Sequence, residues 1–503
     1  MTAGDLLRSL ERVPGLTMPA VGASPLLATQ CTGVTHDSRR VGRGSIFVAL
    51  VGLKANGAAF APEAIAAGAS AIVAESPAPS EVTVPWIVVN DARRALAWLS
   101  AEFFYHPSRE MSVIGITGTN GKTTTSFLLN AILDAAGIQC GLMGTVTYRI
   151  GDRAFDATRT TPEAPDLQAF MRDMVAGGCG ACVMEVSSHA LALKRVDGIQ
   201  FAAAIFTNLT RDHLDFHADM EDYFAAKRRL FEMLPADAPA VINADDPRGA
   251  SLVDVVKRPV TYAINKTADV SPGPLSYSLA GLDFDARTPH GTVHVHSRLV
   301  GKPNVYNILG AVGTAVELGV PIEAIEEGLH RLPGVPGRFE VVSSAADDVT
   351  VVVDYAHTDD ALRNLLETAR PMATRRLITV FGAGGDRDRT KRPLMGMVAA
   401  RLSDVVIITS DNPRGEDPLR IIEEVKRGAD AETRQSSADV QTVVDRHDAI
   451  LQAISTAAKG DVVLIAGKGH EKYQEIAGRT HPFDDVAVAR EGLEARRVKS
   501  RAG

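Results

Sequence analysis

The sequence has few of the residues that would tie it to a membrane, to nucleic acid or to an oxidising compartment. Only four cysteines stand in 503 residues, too few and too scattered for a disulfide framework. Cys179 and Cys182 form a CxxC, which can be a redox pair or half a zinc site. No second pair exists to complete four ligands, so they read as small residues entering a buried strand, ACVMEVSS. Basic residues are outnumbered, 53 Lys+Arg against 61 Asp+Glu, and the formal charge of -8 excludes a general affinity for DNA, RNA or acidic lipid. No run of about 18 apolar residues is present, so no membrane insertion is expected. The opening MTAGDLLRSLERVPGL lacks the apolar centre of a secretory signal. The expected location is cytoplasmic. No low-complexity segment or obvious repeat is found.

What is present is the composition of a large globular core, 45% hydrophobic and 23% charged. At about 150 residues per domain the length suggests roughly three domains. Short apolar strands alternate with helical stretches, the signature of α/β domains with parallel sheets. GSIFVAL (44–50), ASAIVAE (69–75) and PWIVVND (85–91) precede a helix at 92–106, and HPSRE reads as a linker. MSVIGIT (111–117), ACVMEV (181–186), FAAAIFTNL (201–209) and PAVINADD (239–246) follow, and 264–300 reads as antiparallel hairpins. LPGVPGR (332–338), with two prolines and two glycines, marks a second boundary. The expected domains are 1–107, 108–335 and 336–503.

In the last third, VTVVVDYAHT (349–358), RLITVFGAGGDRD (376–388), DVVIITSDNPRGE (404–416) and DVVLIAGKGHE (461–471) each run from an apolar strand into a polar turn. Ligands bind at the carboxyl ends of strands in open α/β sheets. Asp354, His357, Asp386, Arg387, Asp411, Asn412, Arg414, Lys468, His470 and Glu471 are therefore expected on one rim. GAGGDRD is not GxGxxG and has no ribose-binding acid at the usual offset, which argues against a dinucleotide site.

Three segments carry chemistry. GITGTNGKTTT (115–125) follows a strand, opens a helix and ends in Gly-Lys-Thr. Such a loop wraps phosphates with backbone N–H groups at a helix N-terminus. Lys122 would reach the terminal phosphates and Thr123 would hold a magnesium ion. The spacing departs from strict GxxxxGK, because Gly115 lies one residue too far upstream and Gly118 lies inside the loop. VMEVSSHAL (183–191) ends a strand in Glu185, the acid such a site needs. His189 can belong to the site or be a loop histidine. In TNLTRDHLDFH (207–217), His213 and His217 stand four apart and could share a helical face as metal ligands. No third ligand is visible nearby, and Mg²⁺ prefers oxygen. From composition alone Lys227, in AAKRRLF, is a solvated helix lysine. The bare residues support a P-loop enzyme of unknown reaction, with a kinase, motor or nucleotide sensor as alternatives.

Taken together, TGTNGKTTT, MEVSSHAL, TNLTRDHLDFH, AAKRRLF, INADD, GRFE, DYAHT, GGDRD, DNPR and AGKGHE resemble, in order and spacing, the Mur ligase family over essentially the whole chain. The resemblance implies an α/β protein of three domains. These are an N-terminal UDP-substrate-binding domain, a central P-loop ATPase domain with a parallel sheet plus a small antiparallel sheet, and a C-terminal Rossmann-like amino-acid-binding domain. The implied reaction is ATP-dependent addition of meso-2,6-diaminopimelate to the D-glutamyl γ-carboxylate of UDP-N-acetylmuramoyl-L-alanyl-D-glutamate, through an acyl phosphate, in peptidoglycan synthesis. Alternatives are the same ligase using L-lysine, or a folylpolyglutamate-synthetase-like ligase. A monomer is expected.

The resemblance also implies a site. Gly115, Thr117, Gly118, Thr119, Asn120, Gly121, Lys122, Thr123, Thr124, Asn243, Arg338 and Asp354 would bind ATP. Thr123, Glu185, His213 and Lys227 would hold Mg²⁺, Lys227 as an N6-carboxylysine carrying a CO₂-derived carbamate. His36, Ser38, Leu53, Lys54, Ala55, Thr160, Thr161, Ser187, Leu193 and Arg195 would contact the UDP-substrate. Arg387, Asp411, Asn412, Pro413, Arg414, Gly467 and Glu471 would hold the amino acid. Arg414 in DNPR matches the diaminopimelate-using branch. Lysine would leave that arginine unpaired, an expected cost of roughly 3–5 kcal/mol.

Overall fold

The computed structural model describes residues 1–502 apart from 53–55, 81, 279 and 434–436, with side chains omitted at 433 and 500–502. The nucleotide-contact expectation at Leu53, Lys54 and Ala55 lies outside the described residues.

In the first domain four parallel strands, Val34–Thr35, Ile46–Ala49, Ala71–Ala74 and Trp86–Val88, pair in chain order. Ile46–Ala49 and Ala71–Ala74 are buried throughout, as apolar runs must be when both sheet faces are covered. Helix Ala92–Phe103 lays Ala95, Leu96 and Leu99 on that sheet, and the Asp91 carboxylate caps it by accepting from Arg94 N. The helix ends at Phe103 instead of continuing to 106. Tyr105 and His106 are left-handed, with φ of 57° and 48°, so the chain turns sharply there. Arg172, on the central-domain helix Ala164–Ala176, donates from Nε to Phe104 O at 3.0 Å and from Nη2 to Tyr105 O at 3.1 Å. Its Nη2 also reaches Glu110 at 2.6 Å.

The central sheet has eight strands in the order Pro259–Tyr262, Ala240–Asn243, Ala203–Phe206, Ser112–Thr117, Ala181–Glu185, Cys140–Met143, Thr147–Ile150, Arg153–Asp156. The first six run parallel, and the last two add an antiparallel hairpin that sequence reading did not anticipate. The CxxC lies where a buried strand was expected, with both thiols buried and free. The hairpins expected in 264–300 form a separate antiparallel sheet. Its strands Gly281–Thr288 and Gly291–Ser297 turn Phe284, Ala286, Val293 and Val295 inward, the period-two pattern of a half-covered sheet.

The third domain's sheet runs Glu340–Val341, Thr350–Asp354, Val462–Ala466, Leu377–Phe381, Val405–Ile408, Asp439–Thr442. All but the first strand are parallel. Behind it the Arg446 guanidinium pairs with the Asp485 carboxylate at 2.8 and 2.7 Å, both side chains 0% exposed. Arg446 Nη2 also holds Ala466 O at 3.0 Å, which ties two helix starts to the end of strand Val462–Ala466. A last hairpin, Tyr473–Ile476 with Arg479–Pro482, projects beyond the sheet. Among the described residues no helix is long and apolar enough to cross a membrane.

Candidate active site

Strand Ser112–Thr117 feeds the loop 118–121, and helix Lys122–Ala135 starts directly after it. Gly118 has φ 146° and passes so close to strand Ala203–Phe206 that a Cβ there would lie 1.8 Å from Thr207 Oγ1. The loop is braced from below. Thr207 Oγ1 donates to Asn120 O at 2.6 Å, Asn120 N to Asn208 Oδ1 at 3.0 Å, Thr119 Oγ1 to Thr210 O at 3.1 Å and Thr117 Oγ1 to Val186 O at 2.8 Å. Gly115 lies within the strand, against Phe201 and Leu230.

Two lysines converge on one carbonyl. Lys122 Nζ donates to Gly118 O at 2.9 Å and to Thr119 O at 2.8 Å, and Lys227 Nζ donates to the same Gly118 O at 2.8 Å. Lys227 is 1% exposed and sits 4.4 Å over the Tyr223 ring. It is therefore no solvated helix lysine. Burial, and after it the charge of Lys122, holds its amine well below the usual lysine range. Burial also lowers Lys122.

Glu185, 1% exposed, ends its strand beside this loop and accepts from Thr145 N at 2.8 Å and Thr145 Oγ1 at 3.0 Å. His213 and His217 are not on a helix. His213 is left-handed at φ 55°, the segment closes as a turn with His217 N on His213 O at 2.9 Å, and the helix begins only at Met220. Asp219 caps that helix, which is why the polar run before it stays a loop. The two rings flank His189 at 4.9 and 5.8 Å. Burial drives His213 down to about 3 and His189 to about 4, so both imidazoles are neutral at pH 7. Among the described residues the three histidines do not form a zinc-type ligand cluster.

A cleft of about 1070 Å³ opens between the loop and the third domain, lined by Thr124, Asn243, Tyr306, Arg338, Asp354 and His357 among others. Asn243 is held by Thr207 O at 2.7 Å, and Arg338 Nη2 donates to Thr123 Oγ1 at 3.1 Å. Asp354 accepts from Phe339 N and Ala356 N at 2.7 and 2.8 Å, and burial raises its carboxyl. Asn120 Nδ2 reaches Asp360 of the third domain at 3.0 Å. Arg211 bonds Asp388 at 3.3 Å and also Thr390.

On the far side of Glu185 lies a run of hydroxyls. Thr160 Oγ1 meets Thr145 Oγ1 at 3.1 Å, Thr161 Oγ1 donates to Glu185 O at 2.9 Å, and Ser187 caps helix Ser188–Ala192, with Leu193 at its end. Arg195 donates to Thr161 O at 3.0 Å and pairs with Glu163 at 2.7 Å. The first domain meets this run. Arg40 pairs with Asp166 at 2.8 Å, and His36 sits within the field of Glu163 and Asp166, its Nδ1 buried with no partner among the described residues. Burial lowers His36. Ser38 Oγ donates to Glu63 at 2.9 Å, within the first domain.

Four of the five parallel strands of the third domain, those ending at Asp354, Ala466, Phe381 and Ile408, are neighbours in the sheet, and the turns that follow them meet at one rim. Lys468, 0% exposed, reaches Asp411 at 3.5 Å, Asn412 Oδ1 at 3.0 Å and Glu471 at 3.1 Å. Asn412 Nδ2 donates to Glu471 at 2.8 Å, and Gly467 follows directly on the strand, with φ 118°. Lys468 and Arg446 outweigh burial and lower Asp411, whereas burial, with Asp411, raises Glu471. The GGDRD and DNPR loops touch so closely that a Cβ on Gly385 would lie 1.9 Å from Pro413 O. Arg387 is exposed and forms no ion pair among the described residues.

One expectation is corrected here. Arg414 does not stand alone: its Nε lies 3.2 Å from the Glu475 carboxylate and its Nη1 donates to Gly385 O at 2.8 Å. Glu475 belongs to the projecting hairpin, which sequence reading missed. The signal was the two-residue turn Ala477-Gly478, both with positive φ, between short polar–apolar alternations.

The chain matches models of three regions: "Mur ligase family, catalytic domain" over residues 30–104, "Mur ligase middle domain" over 116–315 and "Mur ligase, glutamate ligase domain" over 337–469. It is 47% identical over 499 residues to the UDP-N-acetylmuramoyl-L-alanyl-D-glutamate--2,6-diaminopimelate ligase of Solibacter usitatus, covering 98% of each chain. A solved structure of a ligase with that name is 35% identical with a TM-score of 0.70, each chain 99% covered. Folylpolyglutamate synthase of Mycobacterium tuberculosis shares the fold at 18% identity and a TM-score of 0.59, over 74% of this chain and 91% of its own. On these three matched regions and the full-length likeness, the chain belongs to the Mur ligase family.

Proposed function

We propose that the chain is an ATP-dependent ligase that joins meso-2,6-diaminopimelate to the D-glutamyl γ-carboxylate of UDP-N-acetylmuramoyl-L-alanyl-D-glutamate, a step of peptidoglycan precursor synthesis. It works as a monomer in the cytoplasm. The observation that carries this reading is the likeness, over all three domains, to a relative bearing that name.

The residues divide the work as follows. His36, Ser38, Thr160, Thr161, Ser187, Leu193 and Arg195 line the path for the UDP-substrate. The loop 118–124, Asn243, Arg338 and Asp354 receive ATP in the cleft. A γ-carboxylate oxygen attacks the γ-phosphorus, the bond to the ADP oxygen breaks, and an acyl phosphate forms. Two anions meet in that step, and Lys122 offsets their repulsion. The neutral amine of the amino acid then attacks the acyl carbon. The tetrahedral intermediate expels phosphate and loses a proton, which leaves the amide. Water would destroy the acyl phosphate, so the contacts from Asn120, Arg211 and Arg338 that bring the third domain over the loop protect it.

Thr123, Glu185 and His213 would hold Mg²⁺ beside the loop: the hydroxyl and the carboxylate are the oxygen donors it prefers, and the His213 imidazole would be a further neutral donor. The ion would supply charge neutralisation between carboxylate and phosphate. Lys227 fits carbamylation. Two ammonium groups on one carbonyl oxygen repel, and burial favours the neutral amine that adds CO₂ to give an anionic oxygen ligand. On the rim, Arg414 and Arg387 serve the two carboxylates of the amino acid. Asp411 and Glu471 serve its ammonium groups, with Asn412, Pro413 and Gly467 shaping the floor.

The test is an amino-acid panel with ATP and the UDP-dipeptide. Tripeptide should form with meso-diaminopimelate, and phosphate release should need all three substrates. Equal kcat/KM for L-lysine would overturn the choice of amino acid. Turnover of folate with glutamate in place of the UDP-dipeptide would overturn the whole reading.

A further inference from the structure

The hairpin Tyr473–Ile476/Arg479–Pro482 lies along the DNPR loop. Arg414 N donates to Glu475 O at 3.0 Å, and Ala477 N donates to Arg414 O. Asn412 Oδ1 accepts from Glu475 N at 2.9 Å, and the buried Gln474 side chain donates to Asp411 O at 2.7 Å. These bonds hold Arg414 in a left-handed backbone, φ 53°, which a long side chain does not adopt unaided. They use the hairpin backbone and Gln474, so the loop conformation does not depend on the Glu475 side chain.

The Glu475 side chain acts on the guanidinium alone. Its carboxylate takes the Nε side at 3.2 Å, and Gly385 O takes one N–H of Nη1 at 2.8 Å. Two anchors on different nitrogens fix both the position and the plane of the group. A guanidinium carries five N–H donors. The two contacts use at most two of the five donors, so Nη2 and the second hydrogen of Nη1 remain for a fork that grips a carboxylate with two parallel bonds.

We propose that Glu475 is a positioning residue for amino-acid selection: it orients Arg414 so that the Nη1–Nη2 edge meets the distal carboxylate of a diamino dicarboxylic acid. The proposal rests on the function given above. An arginine freed from Glu475 samples several rotamers, and the substrate must then select the productive one. The effect falls on capture of the amino acid and not on phosphoryl transfer, which occurs before the amine attacks.

The experiment is steady-state kinetics of wild type, Glu475→Ala and Glu475→Gln, with KM measured separately for meso-diaminopimelate, ATP and the UDP-dipeptide. Glu475→Ala should raise KM for meso-diaminopimelate about tenfold, ~1.4 kcal/mol, with kcat within about twofold and the other two KM values unchanged. Glu475→Gln keeps an acceptor oxygen beside Nε and should recover most of the loss. Three outcomes overturn the proposal. An unchanged amino-acid KM in Glu475→Ala means that Arg414 orients itself. A lowered KM means that Glu475 competes with the substrate carboxylate. A parallel rise in all three KM values means that the side chain merely supports the fold. If wild type forms no tripeptide from meso-diaminopimelate, the functional reading fails first, and the variants are not then its test.

Discussion

At the scale of single residues, the paired lysines make the sharpest demand. Lys122→Ala should abolish tripeptide formation with an unchanged fold, because its charge is needed most where two anions react. Near-normal turnover by a folded Lys122→Ala protein would refute the phosphate-loop reading. Lys227→Ala should lose most activity and regain part of it with added short carboxylates, since a free anion can stand in for a carbamate. A native mass spectrum of the intact, ATP-bound protein gives an independent check, with the added mass of one CO₂ that is absent from Lys227→Ala. On the proposed function, amino-acid choice is also set here, but by less than the sequence implied. Because Glu475 accompanies Arg414, lysine would not strand a bare buried charge. The loss shrinks to that of a charge-assisted hydrogen-bonded pair, ~1.5–3 kcal/mol. Discrimination against L-lysine should therefore be about ten- to a hundredfold. Arg414→Ala should narrow the gap mainly by harming meso-diaminopimelate, as competition assays with both amino acids would report.

At the scale of elements, joints between loops and helices carry the testable weight. Glu416 holds the buried Arg392 at 2.7 Å and accepts from Asp386 N of the GGDRD loop, also at 2.7 Å. The hydrogen bond from Arg392 depresses its carboxyl to about 2. Its contribution to stability is therefore complete above the ordinary value of 4.5 and is lost as pH falls from there toward about 2. Glu416→Gln should flatten this part of the acid-unfolding curve while leaving neutral-pH behaviour less affected. Asp485→Asn is the harsher change. It leaves the Arg446 guanidinium buried without its countercharge, at roughly 3–5 kcal/mol, and urea titration should show the third domain unfolding first. The strands bearing the site were legible because parallel strands covered on both faces are unbroken apolar runs, as in VVVD and LITVF. The pieces that escaped were edges: Arg153–Asp156 is exposed at every position, three of the four residues of Asp439–Thr442 are polar, and the hairpin strand carrying Glu475 buries only Gln474. Lys227 was read as a solvated lysine from composition, since nothing local announces that helix Met220–Glu232 turns it under the phosphate loop. His213 and His217 were given helical spacing, but the Asp219 cap starts the helix after them.

At the scale of the molecule, the contacts between the three domains are of two kinds. The third domain touches the phosphate loop and its helix through Asn120–Asp360 and Thr123–Arg338, and the neighbouring 207–217 segment through Arg211–Asp388. Each of these contacts has at least one charged partner and contributes about 1.5–3 kcal/mol at most, which on the proposed function still lets the domain open to exchange substrates. The double variant Arg211→Ala/Asp360→Ala should release more phosphate per tripeptide than wild type, because a looser closure admits water to the acyl phosphate. A ratio that stays at the wild-type value would show that these contacts do not shield it. The first domain is joined differently. Arg172 grips the main-chain carbonyls of Phe104 and Tyr105 and the Glu110 carboxylate, across a bend made by the left-handed Tyr105 and His106. A joint clamped through its backbone acts as a ruler. On the proposed function it sets a constant span between the uridine end of the substrate and the reacting phosphate, so a stem one residue longer or shorter would present its carboxylate at the wrong mark whatever amino acid waits on the other side.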